Sequence, residues 1–528
     1  MSTEGGVVKP HHEGMLPVVE SVDVANRDDV HKLRPAAVGL VGVLFLTVTG
    51  SAPISAMLFN TPLAVGFGNG IGAPAGFLFA TVVLVIFGVA YVAMARKVTT
   101  AGGFYSFISH GLSREWGMAS GFAMVAAYSV FEVSLVGGFA YFAQLKGAHY
   151  GLHIGWYWYG FFMIALISAL TYFEVRLSAR LLGIALLCEI ITLLVFDGFI
   201  FTKGSGNVSA AAINPINAFK GLPAGHSGST ALAAGAAGIG IFFAFWSWVG
   251  WEMAPNYGEE SKSPKKNVPR ALYISVIGLG IFYTITSWAG ISGYHNIDAA
   301  ANVAQNNSAN FYFIPALHYG GSFLKGALSW FIITGSFACG MAFHNTTARY
   351  MYSLGREGVL PRALGRTHAR HRSPHIASVT QSIIAAVILL LFVLFAPVDH
   401  KLGAGDSVGY LQVYGLMAVM GVVSILAIQA LVSVAIFNYF RTHHKEDHHW
   451  WTTITAPIIA AISQVIVLYL AIKNLNFLGS GYGYAKWLVW GDLLIFLVGL
   501  GYAFWLKSNN RAKYETIGRM INQGMDSV

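Results

Sequence analysis

Long apolar runs separated by short polar segments dominate this chain. Twelve of them are long enough to cross a hydrocarbon layer about 30 Å thick as a helix. They cover roughly residues 36–59, 73–95, 117–145, 155–173, 178–203, 232–257, 271–293, 324–353, 376–397, 408–440, 452–473 and 486–506. Lipid offers the backbone no hydrogen-bond partners, and the runs lack the alternation of a barrel strand. The pattern therefore predicts an all-α membrane protein with about twelve transmembrane helices, numbered 1 to 12 here.

Composition and charge agree with a membrane protein. Hydrophobic residues make up 55% of the 528 residues and charged residues only 10%, whereas soluble domains carry about 25% charged residues. The net charge of +9 comes mostly from residues in the predicted loops and tails, so it indicates topology and not nucleic-acid binding. Cys188 and Cys339 lie inside apolar runs, and the sequence predicts no disulfide, metal site or cofactor.

Most of the 32 lysines and arginines fall on the side of the N-terminus. The positive-inside rule then predicts that both termini are cytoplasmic, in a plasma (inner) membrane. Residues 1–34 are predicted to be a disordered tail, residues 204–231 an extracellular loop, and residues 507–528 a second cytoplasmic tail.

Two of the predicted helices carry helix-breaking residues at membrane depth. Helix 1 contains the run Thr49-Gly50-Ser51-Ala52-Pro53, and helix 6 contains Val249-Gly250-Trp251-Glu252-Met253-Ala254-Pro255. Glycine and proline both destabilise a helix interior. Breaks five helices apart are typical of inverted-repeat transporters, which hold substrate at the broken segments.

Around these breaks the sequence resembles the amino acid, polyamine and organocation permease superfamily. Gly50-Ser51-Ala52 is similar to that family's helix 1 break, and Phe245 to Glu252, followed by Gly258-Glu259-Glu260, to its helix 6. Arg349 with the run Gly355 to Pro361 resembles the connection after helix 8. The resemblance implies a leucine-transporter-like fold with a 5+5 inverted repeat: helices 1–5 (residues 35–203), helices 6–10 (residues 232–440), and peripheral helices 11 and 12 (residues 441–506).

The resemblance also implies a substrate site between the two breaks. Backbone N–H groups of Gly50, Ser51 and Ala52 would hold a carboxylate. The ammonium side would be formed by Phe245, Trp246 and Val249, with Trp246 also capping the substrate. Ala52 replaces the usual second glycine, and Pro53 has no N–H, which weakens the expected carboxylate grip.

Three glutamates lie inside apolar runs, where a charge costs at least about 2.5–3.5 kcal/mol. By the resemblance, Tyr128 lies at the inner gate and Glu132 on the pocket wall, where it would favour an amine or a basic amino acid. A structural Glu132 and a proton-relay Glu132 remain alternatives. Glu252 is expected near the same gate, paired with Tyr128 or a basic residue.

Glu189 in helix 5 is the leading candidate for proton coupling, with Glu132 as the second and a structural Glu189 as the alternative. A sodium site would instead use hydroxyls such as Thr334 and Ser336. Asp197 and Asp492 are expected to reach water and have no assigned role.

The sequence therefore predicts a secondary active transporter, not an enzyme, that moves an amino acid or a related organic amine by alternating access, coupled to protons. The alternatives are an exchanger, a sodium-coupled symporter and, last, a membrane-embedded enzyme. The expected partners are a small-molecule substrate, the proton and the lipid bilayer, and the oligomeric state stays open.

Overall fold

The computed structural model describes residues 33–99, 101–172, 175–204, 208–227, 230–398 and 407–518. The predicted N-terminal tail lies outside the described residues as far as residue 32, and so do residues 519–528.

The structure confirms twelve membrane helices. Ten described helical segments are long and apolar enough to cross a membrane. The other two are helix 4, with 17 residues, and helix 6, which is split into two pieces. The bounds in chain order are Leu40–Gly50 continued by Pro53–Ser55, Ala56–Asn60 and Thr61–Phe67 (helix 1), Ala73–Lys97, Arg114–His149, Trp156–Tyr172, Val175–Lys203, Ala237–Trp246 with Trp251–Glu260 (helix 6), Pro264–Ser292, Phe313–Arg356, His375–Phe395, Val408–Tyr414 with Gly415–Thr442 (helix 10), Trp450–Thr455 with Ala456–Lys473 (helix 11), and Ala485–Asn509.

Burial separates central helices from peripheral ones. In the most apolar 18-residue window of helices 3 and 10, 83% of residues are buried, against 17% in helix 12 and 33% in helix 11. The exposed residues of helices 11 and 12 are nearly all apolar, as a lipid-facing surface requires. Helix 9, with 22% of its window buried, is also lipid-facing, so helices 9, 11 and 12 are the least buried of these spans.

Helix pairs five positions apart in the chain pack against each other. Helix 2 packs along helix 7, helix 3 along helix 8, and the break of helix 1 lies against the break of helix 6. Pairing of equivalent helices is the arrangement of a 5+5 inverted repeat. The fold is thus the predicted all-helical one with broken helices 1 and 6.

Several smaller elements differ from the prediction. A short outer helix that was not predicted starts at Phe313 and is interrupted at Gly321 (φ 75°), and the predicted span of helix 8 follows this interruption. Within the predicted loop, Gly225–Ser227 pairs antiparallel with Thr230–Leu232. The remaining short helices and helical turns are Gly70–Gly72, Gly103–Gly111, Ala210–Ile213, Pro215–Phe219, Ile297–Asn306, Ser308–Asn310, Arg362–Gly365, Lys445–Asp447, Leu475–Leu478 and Arg511–Thr516.

The chain after helix 12 packs onto the face of the molecule where the described chain begins and ends, called the terminal face here. The Thr516 hydroxyl donates to the Glu357 carbonyl at 2.8 Å, and the Gly518 N–H donates to the Glu357 carboxylate at 3.1 Å. Tyr105 also donates to this carboxylate. Burial raises the pKa of Glu357 from 4.5 to about 7.

Because the pKa of Glu357 is higher in the fold than in the unfolded chain, its neutral form favours folding. The stability that it contributes is present below pH 4.5 and is lost as the pH rises through about 7. Glu357→Gln fixes a neutral side chain, so we expect this variant to match the wild type near pH 5 and to melt at higher temperature near pH 8. The difference at pH 8 should approach about 3 kcal/mol at most.

The measurement is thermal unfolding of both proteins in detergent across that pH range. Glu446→Gln is the matched control, because Glu446 is an exposed loop carboxylate and should leave the profile unchanged. A Glu357→Gln variant that is destabilised equally at every pH would contradict the account.

Candidate functional site

The two helix breaks meet in the middle of the molecule. Helix 1 ends at Gly50, Ala52 takes a left-handed conformation (φ 42°), and a new helical segment begins at Pro53. In helix 6, Gly250 has φ 112°. A Cβ on Gly250 would overlap the carbonyl group of Gly50. The two backbones are therefore in direct contact, which only glycine at residue 250 allows.

A cavity of about 30 Å³ lies between the breaks. Its volume suits one or two water molecules and not an amino acid, so the site is occluded in this structure. The lining side chains are small, hydroxyl-bearing, amide or apolar, and none is acidic: Gly50, Ser51, Ala52, Ser55, Ala56, Asn60, Phe131, Leu135, Trp246, Ser247, Val249, Cys339, Phe343 and Tyr414.

The helix 1 side of this cavity contains the predicted carboxylate cradle. The N–H of Ser51 donates to the Val48 carbonyl at 3.1 Å, and the N–H of Ala52 donates to the Thr49 carbonyl at 3.0 Å. The carbonyl of Gly50 accepts from the Cys339 thiol at 3.3 Å. The Ser51 hydroxyl is buried and has no hydrogen-bond partner among the described residues. It is therefore the free donor of the cradle, whereas the backbone donors are already used.

The helix 6 side presents backbone carbonyls next to an aromatic wall. The Phe245 carbonyl accepts from the Trp248 N–H at 3.1 Å, and the Trp246 carbonyl accepts from the Val249 N–H at 3.0 Å. Each keeps a second lone pair for a ligand. Trp246 and Val249 line the cavity. The Phe245 ring lies outside it and packs near Phe79.

Stacked rings cover the cavity on the side away from the terminal face. Trp246 stacks on Tyr414 with ring centres 5.6 Å apart. Tyr414 contacts Phe59 at 4.5 Å, and Phe59 stacks on Phe142 at 5.4 Å. Trp246 thus lies where a capping residue is expected, at the inner end of an aromatic layer.

The structure corrects the expected placement of Glu132. Its neighbours Phe131 and Leu135 line the cavity, and Glu132 points instead towards helices 8 and 9. Both of its oxygens lie 3.0–3.1 Å from His344 Nδ1, and Gln381 donates to Oε2 at 2.7 Å. Its side chain is fully buried. These contacts favour the alternative of a structural glutamate hydrogen-bonded to neighbouring helices.

Glu189 lies directly beside the helix 1 break. The N–H of Ile54, just after Pro53, donates to its carboxylate. A Cβ on Gly335 of helix 8 would come within 2.9 Å of the carboxyl carbon and of Oε1, and Oε1 has no hydrogen-bond partner among the described residues. Glu189 therefore joins helices 1, 5 and 8, with half of its acceptor capacity unused.

Glu252 and Tyr128 form a contact below the cavity. The Tyr128 hydroxyl donates to Oε1 of Glu252 at 2.8 Å, and the N–H of Gly250 donates to Oε2 at 2.9 Å. Tyr91 donates to the Glu252 carbonyl at 3.0 Å. This cluster ties helix 3 and helix 2 to the helix 6 break on the side of the terminal face.

Ion pairs close the terminal face beneath this cluster. Arg349 pairs with Glu260 at 2.7 Å, and both side chains are at most 3% exposed. Arg356 forms two hydrogen bonds with Glu259, at 2.7 and 3.0 Å, and the N–H of Ala101 also donates to Glu259. Separating the buried Arg349–Glu260 pair without new partners is costly. The cavity is thus sealed from the terminal face by charged residues of helices 6 and 8.

The segment before helix 1 adds a backbone contact to this seal. The N–H of Val38 donates to the Glu260 carbonyl at 3.0 Å, and the N–H of Lys262 donates back to the Val38 carbonyl at 2.9 Å. The segment before helix 1 and the end of helix 6 are therefore joined on the side of the terminal face.

One polar side chain of the site, Asn60, was missed from the sequence, and two aspartates outside the cavity were placed wrongly. Asn60 donates to Ser247 at 2.9 Å across the cavity wall; an amide inside an apolar run was the available signal. Asp197 is buried and accepts from Thr286 at 2.7 Å, and Asp492 is 6% exposed. The expectation that both aspartates reach water is therefore wrong, because helix rotation points them into the protein.

The two hydroxyls considered for sodium do not converge. Ser336 lies 3.4 Å from Ser55 near the helix 1 break, whereas Thr334 is exposed and donates to a carbonyl of its own helix.

Comparison with known proteins gives a consistent result. The family model described as amino acid permease matches residues 38–499. The branched-chain amino acid permease BcaP of Lactococcus lactis is 25% identical over 387 residues, which cover 70% of this chain and 79% of the relative. The low-affinity putrescine importer PlaP of Escherichia coli is 22% identical over 377 residues, covering 69% and 77%. The human b(0,+)-type amino acid transporter 1 is 24% identical over 229 residues, 43% of each chain.

Gly250→Ala tests the backbone contact between the breaks. A side chain at φ 112° costs about 1–2 kcal/mol from the backbone alone, and its Cβ would displace Gly50. We expect a lower melting temperature and loss of substrate binding, measured by thermal unfolding with and without substrate. Gly278→Ala is the control, because a Cβ there meets nothing within 4 Å. Equal effects of the two substitutions would contradict the contact.

Proposed function

The chain belongs to the amino acid permease family, and we propose that it is a proton-coupled importer of a neutral amino acid with an apolar side chain. It is a multi-pass membrane transporter for an amino acid or a related amine. The proposal adds the coupling ion, the narrower substrate class and the direction, with the terminal face in the cytoplasm and the opposite face outside the plasma membrane.

The lining of the central cavity supports a neutral substrate. A diamine such as putrescine carries two positive charges, which need carboxylates or many carbonyls in a buried site. None of the described residues that line the cavity is acidic, and Glu132 is held by His344 and Gln381 behind it.

Polar and apolar groups lie on different parts of the cavity lining, as the binding of an amino acid would require. The free Ser51 hydroxyl and the helix 6 carbonyls lie at the breaks, where the carboxylate and the ammonium would bind. Phe131, Leu135 and Phe343 form the apolar remainder of the lining. Between the two substrate types named for the bacterial relatives, this division favours the branched-chain amino acid over putrescine.

The hydrogen bonding of Glu189 is the observation that supports proton coupling. Its carboxylate accepts the Ile54 N–H at the substrate-binding break, and its other oxygen is buried with no hydrogen-bond partner in the part of the chain that the structure describes. An ionised carboxylate with so few hydrogen bonds is costly at membrane depth, and a bound proton removes that cost. A movement of helix 1 away from helices 5 and 8 would expose the carboxylate and release the proton, so substrate and proton would move together.

During alternating access, the contacts that close the terminal face and the aromatic layer on the opposite face would open in turn. In this structure the terminal face is closed by Arg349–Glu260, Arg356–Glu259 and the contact between Tyr128 and Glu252. Opening towards the cytoplasm requires these groups to separate and meet water. The aromatic layer of Trp246 and Tyr414 would remain closed above the substrate.

Uptake by the purified protein in proteoliposomes tests the proposal. With an inward proton gradient we expect radiolabelled L-leucine to accumulate above its equilibrium level and putrescine not to accumulate. An uncoupler should abolish accumulation, and an inward sodium gradient should not replace the proton gradient. Accumulation of putrescine but not of leucine would overturn the substrate assignment.

Glu189→Gln separates transport from coupling. The amide keeps a neutral side chain of the same shape, so we expect leucine to exchange across the membrane while proton-driven accumulation falls at least about tenfold. Glu132→Gln is the matched control, because it neutralises a buried glutamate that lies outside the cavity lining. Loss of coupling in Glu132→Gln with normal coupling in Glu189→Gln would assign the proton to Glu132 instead.

A further inference from the structure

A second, larger cavity opens on the face opposite to the terminal face. Its volume is about 550 Å³, which is within the usual range of small-molecule sites. It lies between the end of helix 3, the start of helix 8 and the chain at Asn306 to Asn310. Nothing in the mechanism above uses it.

Basic side chains give this outer cavity one sign of charge. Lys146, Lys325 and His149 line it, together with amides and hydroxyls, and none of its described lining residues is Asp or Glu. No carboxylate among the described residues pairs with Lys146 or Lys325. A concave surface with uncompensated charge of one sign concentrates ligands of the opposite sign.

Lys146 is held in place without being neutralised. Its ammonium donates to the Ser329 hydroxyl at 3.0 Å and lies 5.0 Å from the centre of the Trp330 ring. A second ring, that of Tyr150, lies 5.8 Å away. Hydroxyl and cation–π contacts orient an ammonium but leave its charge available to an anion.

The floor of the outer cavity continues into the substrate site. Tyr141, Phe142 and Phe313 form its apolar end. Phe142 stacks on Phe59, and Phe59 contacts Tyr414, whose ring lines the central cavity. The aromatic layer is therefore the floor of one cavity and the roof of the other.

We propose that the outer cavity is a binding site for the carboxylate of the incoming amino acid, with Lys146 and Lys325 as its anion-binding groups. The site rests on the importer function proposed above and explains selection before the central site opens. An amino acid presents its carboxylate to the lysines and its apolar side chain to the aromatic floor. A diamine has no group for the lysines and is repelled by them.

Initial rates of L-leucine uptake in proteoliposomes test the site with the variant Lys146→Gln/Lys325→Gln. We expect the KM for leucine to rise about three- to tenfold, with the maximal rate little changed, because local attraction is lost and the central site is intact. The KM should also lose most of its dependence on salt, since screening acts on these two charges. Lys203→Gln is the matched control: this outer lysine contacts the Tyr319 carbonyl outside the cavity, and its loss should leave the KM unchanged.

A wild-type measurement keeps the test valid if the double variant does not fold. Raising the salt concentration should increase the wild-type KM for leucine severalfold. A salt-independent KM or a double variant with the wild-type KM would each overturn the outer site. Those results leave the importer function standing, which fails separately if the wild type accumulates no leucine.

Discussion

The contact between Gly50 and Gly250 is the constraint on which the rest of the structure depends. Two helices can meet backbone to backbone only where neither carries a side chain, and the positive φ of Gly250 turns helix 6 away at that point. Both helices end there, so backbone carbonyls with a spare lone pair and the Ser51 hydroxyl collect in the middle of an apolar protein. The cavity, the free Ser51 hydroxyl and the cap of Trp246 all follow from this crossing.

The buried glutamates Glu132 and Glu189 differ in how completely their carboxylates are hydrogen-bonded. Glu132 is fully hydrogen-bonded to helices 8 and 9, and such a satisfied group makes the structure around it rigid. Among the described residues, Glu189 has a single backbone donor, and that donor belongs to the broken helix. A poorly satisfied charge between two helices favours two states, protonated with the helices together or ionised with them apart. We infer that this difference in hydrogen bonding is what would let one glutamate be structural and the other couple transport to protons.

Much of the fold could be predicted from the sequence, because apolar runs and helix breakers are local signals. The twelve helices, the two breaks and the family resemblance all come from such signals. The direction in which a side chain points is not local: consecutive residues of helix 3 differ by about 100°, so Phe131 lines the cavity while Glu132 faces helix 8. The burial of Asp197 could not be predicted for the same reason, because it also depends on the direction of a helical side chain. The contacts of Glu189 with Ile54, and of Glu357 with Gly518, join residues far apart in the chain, and no local pattern announces them.

The central claim is that substrate binding at the breaks and protonation of Glu189 are one event. Calorimetric titration of L-leucine into the detergent-solubilised protein, in buffers of different ionisation enthalpy at one pH, counts the protons taken up on binding. The account predicts uptake of up to one proton per leucine in the wild type and none in Glu189→Gln, with leucine still bound. Binding of leucine to the wild type with heats that are identical in all buffers, across the pH range in which transport is active, would contradict it.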